Sequence, residues 1–430
     1  MKDTAFYPAD ILLPSAERGI DLTKWAVVAC DQYTSQPDYW NKVEELVGDS
    51  PSALRMILPE IYLNLEKSQV NRKISEIQRS MNEYLQQGLF QACPKSYIYI
   101  ERILSDGTMR KGLLGMLDLE EYDYHPGSSS RIRATEGTVL ERIPPRVRVR
   151  EHAVLEFPHI MMLIDDLQRT VIEPLSVRKD KLPLLYRFPL MQGGGNIAGY
   201  RVQGRDALAV QEALEKLAQP EAFSRRYGLP MGTPPLLYAA GDGNHSLATA
   251  KACFEALKQR LPEEEWKTHP ARYALAEVVN LHDDSLQFEP IHRAVTGTEP
   301  EKLLKAMEKA CGARRANGSQ GDQTVTAVTS DGTRPLLLTR PTSQLAVGTL
   351  QNFLDQYLTE NTGTVDYIHG DDVAVSLGQK PNSIAFLLPP MGKEELFPTV
   401  ILDGSLPRKT FSMGHAQDKR YYIEGRRITY

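Results

Sequence analysis

The chain has 430 residues, 41% of them hydrophobic and 24% charged, with a formal net charge of −5. This length predicts two or three domains with a sizeable core, and the acidic balance argues against a general nucleic-acid binder, which carries a basic excess. No apolar run approaches the ~18 residues of a membrane span, and the first residues hold no long apolar leader. Four cysteines, Cys30, Cys93, Cys253 and Cys311, form no C-x-x-C pair, which argues against a disulfide framework or a zinc site. A soluble cytoplasmic protein with no dedicated metal-ligand residues is the expectation.

In chain order, Trp25–Cys30 reads as an early buried strand, and a helix follows from about Asp38 to Val47. The intervening loop offers Asp31 at the end of that strand, where ligands collect in α/β architectures. Ser68–Gly88 has Val70, Ile74, Ile77, Met81 and Leu85 at helical spacing, the stripe of an amphipathic helix facing a core. Ser96–Leu104 and Met109–Leu117 read as strands joined through Asp106-Gly107, a hairpin signal.

Arg146, Arg148 and Arg150 alternate with Val147 and Val149, so a strand here would set three arginines on one face. Arg131, Arg133 and Arg142 surround Glu136 and are the better anion clamp, because guanidinium groups match phosphate oxygens in pairs. His159–Asp165 is a further apolar strand, Gly193-Gly194-Gly195 a turn before a strand at Tyr200–Val202, and Asp206–Leu217 a helix.

The stretch Leu236–Lys258 dominates the middle of the chain. Leu236 to Ala240 reads as a buried strand, Gly241-Asp242-Gly243 breaks it, and from Asn244 the apolar residues Leu247, Ala250, Phe254 and Leu257 recur on one helical face. Two glycines let the backbone bend and approach a bound group. Asp242 or Asn244 can cap the helix, and the helix N-terminus is a seat for a phosphate or carboxylate beside His245. Neither G-x-G-x-x-G, G-x-x-x-x-G-K-[ST] nor G-x-S-x-G is present.

Arg272–Val279 reads as a strand, and Phe288 to Arg293 closes a first unit that includes His292. Gly297-Thr298-Glu299-Pro300 reads as a boundary, giving a main domain over 1–296 and a smaller α+β unit over 297–430. The smaller unit has a helix at Glu301–Cys311, strands near Thr324–Val328 and Pro335–Leu338, a helix at Thr349–Leu358 and a strand at Ile384–Leu388. The basic motif Leu406-Pro407-Arg408-Lys409-Thr410-Phe411 reads either as a surface loop or as an arm returning to the main site.

GDGNHSLATA, FEPIHR and AFLLPP followed by LPRKTF together resemble the bacterial and archaeal family of domains of unknown function numbered 1015, in order and over nearly the whole chain. Family members have D-G-H-H-R-Y at the turn. This chain keeps Asp242, Gly243 and His245 but has Asn244 and Ser246 where His and Arg are usual. The turn also resembles the phosphate-binding turn of the ParB/sulfiredoxin-like fold, which includes free-serine kinases.

That resemblance implies an α+β fold with a mixed-sheet main domain of ParB/sulfiredoxin-like type. It also implies a nucleotide-dependent phosphotransferase acting on a small hydroxylated metabolite such as serine, using Mg²⁺ with ATP or ADP. Asp242, Gly243, Asn244, His245 and Ser246 then form the phosphate turn. His245 has a catalytic role, Asp31 or Glu136 is the base or Mg²⁺-facing carboxylate, and Arg293 stabilises charge, with Arg142, His292, Arg408 and Lys409 as further ligand-binding residues. Two other readings stand beside it: a non-catalytic nucleotide- or metabolite-binding regulator, and metal-dependent hydrolysis through Asp242, His245, His282 and Asp283.

Overall fold

The computed structural model describes residues 4–125, 127–137, 143–316 and 323–430. Its contacts divide the chain into two units. One comprises residues 1–134, 138–286 and 415–430, the other 135–137 and 287–414. The boundary expected at 296/297 thus falls at 286/287. Phe288–Thr296 is a strand whose ladder partners, Thr364–His369, Ser383–Leu387 and Phe411–Met413, all belong to the second unit. Gly297 to Glu299 only links that strand to the helix Pro300–Cys311.

The first unit is built on a mixed sheet with thirteen strands among the described residues. Its longest members, Phe90–Ile103 and Met109–Asp118, form the expected hairpin, with Gly107 at φ +85° in the turn. Tyr273–Asn280 lies antiparallel to Met109–Asp118 and parallel to Met161–Ile164, and Tyr238–Asp242 continues the order antiparallel to Met161–Ile164.

Both faces of this sheet are covered. Along Phe90–Ile103, Ile98 and Ile100 enter one core while Tyr97 and Tyr99 enter another, as the two-residue side-chain period requires. The first core receives Val70, Ile74, Ile77 and Met81 from the helix Lys67–Gln86. The second receives Ala207, Val210 and Leu214 from Gly204–Leu217 and Leu247, Ala250 and Phe254 from Asn244–Lys258. No helix among the described residues is long and apolar enough to cross a membrane.

Two segments differ from the sequence expectation. Trp25 ends a short helix, Leu22–Trp25, because Asp21 caps it by accepting the N–H groups of Thr23 and Lys24, and only Val27–Val28 pairs as a strand. The arginine-rich segment is the helix Ile143–Arg150, not a strand. Pro144 and Pro145 occupy its first turn, where a missing N–H costs nothing and the fixed φ suits a helix. The arginines therefore fan out: Arg146 bonds Glu60, Arg148 bonds Asn71 at 2.9 Å, and Arg150 bonds Glu156 at 2.6 Å.

The second unit has a sheet with seven strands among the described residues, ordered Ala313–Arg315, Gly332–Leu338, Gln323–Thr329, Ser383–Leu387, Phe288–Thr296 and Thr364–His369, with Phe411–Met413 paired to the start of Phe288–Thr296. Its helices include Pro300–Cys311, Ala346–Glu360, Asp371–Gly378 and Lys393–Leu402. Thr364–His369, Asp371–Gly378 and Lys393–Leu402 were absent from the sequence reading.

Candidate functional site

The strand Tyr238–Asp242 delivers Asp242 to the turn, and the helix Asn244–Lys258 leaves it. Between them Gly243 has φ +75°, and a Cβ there would stand 2.9 Å from the Ile160 Cα. Glycine is required on both counts. The helix makes its first intrahelical bond from the Leu247 N–H to the Gly243 carbonyl at 3.0 Å, so the N–H groups of its first turn have no acceptor within the helix.

Neither Asp242 nor Asn244 caps it. Gly243 is the N-cap, without a side-chain bond. The Asp242 Oδ1 accepts the Gly243 N–H at 2.9 Å, and its Oδ2 lies 3.3 Å from the Lys419 Nζ. Among the described residues the Asn244 Oδ1 is buried without a hydrogen-bond donor.

The close approach of Gly243 to the backbone at His159–Ile160 brings in a histidine that the sequence reading treated only as the start of a strand. His159 Nε2 is 3.4 Å from the Asp31 Oδ2, and its Nδ1 is 2.7 Å from the Tyr422 hydroxyl. That hydroxyl also accepts the Cys30 N–H at 3.0 Å, and Gln32 donates to the Asp31 Oδ1 at 2.9 Å.

Burial by itself would raise the Asp31 carboxyl. The His159 charge and hydrogen bond, the Gln32 donor and Lys419 reverse this and hold it well below the usual carboxylate range. Burial likewise depresses His159, but Asp31, Asp242 and Glu60 more than offset that and leave it raised. The pair therefore favours imidazolium and carboxylate together. Beside His159, Tyr422 and Ser246 lies a cavity of about 130 Å³. His245 is half-buried, and its carbonyl accepts the Thr249 hydroxyl at 2.7 Å.

The structure thus gathers Asp31, Asp242, Gly243, Asn244, His245 and Ser246 in the first unit and adds His159, Lys419 and Tyr422. Lys419 and Tyr422 come from a tail whose chemistry is visible in the sequence but whose position is not. Arg142 lies outside the described residues.

Glu136, His292, Arg293, Arg408 and Lys409 belong to the second unit. Arg293 is fully buried and spends its donors internally: Nε on the Gln351 Oε1 at 2.8 Å, Nη1 on the Ile291 and Lys409 carbonyls at 2.6 and 3.0 Å, Nη2 on the Arg408 carbonyl at 3.2 Å. Burial pushes its pKa down to about 10, against the opposing influence of Tyr367, Glu136 and Asp355. Burial raises Glu136, although it accepts the backbone N–H groups of Lys409 and Thr410. The basic motif is therefore a loop held by its backbone between Glu136 and Arg293, and Arg408 turns to the Tyr367 hydroxyl at 2.9 Å. His292 accepts the Leu388 N–H at 3.1 Å and meets Asp371 at 2.7 Å.

The hydrolase set does not converge. His282 pairs with Asp165 at 2.6 Å, and Asp283 accepts the Ser285 and Lys111 N–H groups. Among the described residues no three His, Cys, Asp or Glu side chains could share a metal ion.

The model of the family described as "Protein of unknown function (DUF1015)" matches residues 14–357, and the chain belongs to that family. No curated protein matches the sequence. Among solved structures, a conserved hypothetical protein from Pyrococcus furiosus overlaps 73% of this chain and 94% of its own, at 10% identity and a TM-score of 0.35. A free serine kinase in complex with AMP overlaps 73% and 90%, at 10% identity and 0.37. SbnI with C-terminal truncation, from Staphylococcus aureus, overlaps 70% and 82%, at 11% identity and 0.36. Overlaps at these scores define no shared site.

Proposed function

For this member of a family of unknown function we propose a nucleotide-dependent phosphotransferase acting on a small hydroxylated metabolite such as serine, built on a main domain of ParB/sulfiredoxin-like type. The observation that carries the reading is the convergence of Asp31, Asp242, His159 and Lys419 on the N-terminus of the helix Asn244–Lys258. Phosphoryl transfer asks a protein mainly to position its reactants and to neutralise phosphate charge. The first-turn N–H groups and Lys419 take the phosphates, with Lys419 supplying the cation that Ser246 lacks. Asp31, kept ionised by His159, orients the attacking hydroxyl and accepts its proton. Asp242 fits Mg²⁺, which takes one or two carboxylates from a protein alongside phosphate oxygens; bound there, the ion would neutralise phosphate charge.

The test is thermal stability of the purified chain with ATP, ADP and CTP, with and without Mg²⁺, followed by ADP release with serine and other small alcohols. A nucleotide-specific rise in the midpoint is expected, lost in Lys419→Met. In Asp31→Asn the rise should remain while turnover falls at least a hundredfold. No shift with any nucleotide overturns the reading. A non-catalytic binding module is the second reading, favoured by the mutual pairing of Asp31 with His159 and of Asp242 with Lys419. It predicts the same shift without product.

A further inference from the structure

The cavity of about 130 Å³ in the first unit has an apolar wall, formed by Ile57, Leu63, Met81, Val149 and Phe157, and a charged end. At that end Glu60 faces Arg146, and that pair is balanced. Glu156 is different, because one carboxylate serves two guanidinium groups: Arg150 Nη2 meets its Oε2 at 2.6 Å and Arg426 Nε its Oε1 at 2.9 Å. Arg426 is 4% exposed and turns its other nitrogens to the Pro270 and Tyr273 carbonyls, and Glu156 also accepts the Leu275 N–H at 2.8 Å. Glu156 is therefore held and neutralised without Arg150.

Arg150 is left as surplus positive charge on the cavity lining. Its guanidinium makes one hydrogen bond among the described residues and keeps 15% exposure. A guanidinium has five donors, and its fork matches a carboxylate in pairs.

We propose that this cavity binds a small aliphatic monocarboxylate of about four to six carbons, its carboxylate on Arg150 and its chain against the apolar wall. At about 130 Å³ the cavity lies below the roughly 300–1,000 Å³ of pockets that enclose drug-sized ligands, which fits a small acid rather than a nucleotide. An ammonium would meet the surplus positive charge, an alcohol would leave Arg150 without an anionic partner, and a dicarboxylate would bury a second charge against the apolar wall. The proposal stands whether or not the turn takes a nucleotide.

Calorimetric titration of the full chain with sodium valerate, pentanol and pentylamine tests it, on the wild type, Arg150→Met and Val149→Phe, the last filling the cavity. Valerate is expected to bind the wild type, with affinity at least tenfold weaker in both variants, while pentanol and pentylamine do not bind. Absence of valerate binding to the wild type, equal binding of pentanol, or unchanged valerate affinity in Arg150→Met overturns it. Should Arg150→Met fail to fold, Val149→Phe decides, and retained valerate affinity there overturns the assignment. Nucleotide shifts are read separately, so failure here leaves the phosphotransferase reading intact.

Discussion

At the scale of single residues, the pairing of His159 with Asp31 makes a pH-dependent contribution whose sign follows from the two shifts. Asp31 is lowered from its ordinary 3.8 in the folded chain, so its contribution is present above that value and is lost as the pH falls through the lower folded one. His159 is raised from 6.5, so its contribution is complete below 6.5 and is lost as the pH rises through the raised folded value. The pair therefore stabilises most between about pH 4 and 6.5. Urea unfolding of the wild type should show stability falling above pH 6.5, with a slope no steeper than about 1.4 kcal/mol per pH unit. His159→Asn should lack that fall, and parallel profiles for the two proteins would refute the pairing. Asp31 was legible as a carboxylate at the end of an expected strand. His159 was not, because an apolar strand with a histidine at its edge gives no sign of what the ring will face.

At the scale of elements, the strand–turn–helix around Asp242-Gly243-Asn244 was readable because each step has a local cause: an apolar run, a glycine able to take positive φ, then helical spacing. What the sequence misassigned was the cap. Both flanking polar residues could serve, and the αL conformation of Gly243 excludes both by making itself the N-cap. Gly243→Ala forces a Cβ into the His159–Ile160 backbone at a strained φ. It should cost about 1–3 kcal/mol by denaturant unfolding, whereas an unchanged midpoint would show that the turn tolerates a side chain. The Ile143–Arg150 segment fails in the other direction. Alternating Arg and Val is a strand signal, and the prolines before it override that signal by favouring a helix start. The change matters chemically, since a helix sends Arg146 to Glu60 and Arg150 to Glu156.

At the scale of the whole molecule, the tail His415–Tyr430 belongs to the first unit and is bound there at unusual cost. Arg102 and Arg110, cross-strand neighbours and both buried, spend donors on the Gln417, Lys419 and Asp418 carbonyls. Burial and Arg110 push Arg102 down to about 10. Arg420 is buried between Glu277 and Glu424 at 2.6 and 2.7 Å, and Trp25 donates its indole N–H to the Ile423 carbonyl at 3.1 Å. A chain ending at Gly414 would take the tail carbonyls from Arg102 and Arg110 and Arg420 from Glu277; breaking that one buried pair alone costs about 3–5 kcal/mol, against a total stability of about 5–15 kcal/mol. It should lose near-ultraviolet circular dichroism and cooperative unfolding, and a wild-type unfolding midpoint would refute this account.

The amino-acid sequence by itself determined the local alphabet. The helix at Lys67–Gln86, the Asp106-Gly107 hairpin, the glycine turn and the longer strands such as Met109–Asp118, Tyr273–Asn280 and Gln323–Thr329 follow from periodicity and backbone chemistry that act within a dozen residues, whereas short strands such as Ala9–Pro14, Ile132–Ala134 and Gly425–Arg427 do not. Tertiary structure alone decided which charges meet. Lys419 reaches Asp242, His159 lies between Asp31 and Tyr422, and Arg293 is spent on its own loop, while Glu156 is shared by two arginines. These pairings join residues far apart in the chain, and nothing in local spacing encodes a partner that only the packed sheet brings within hydrogen-bonding distance.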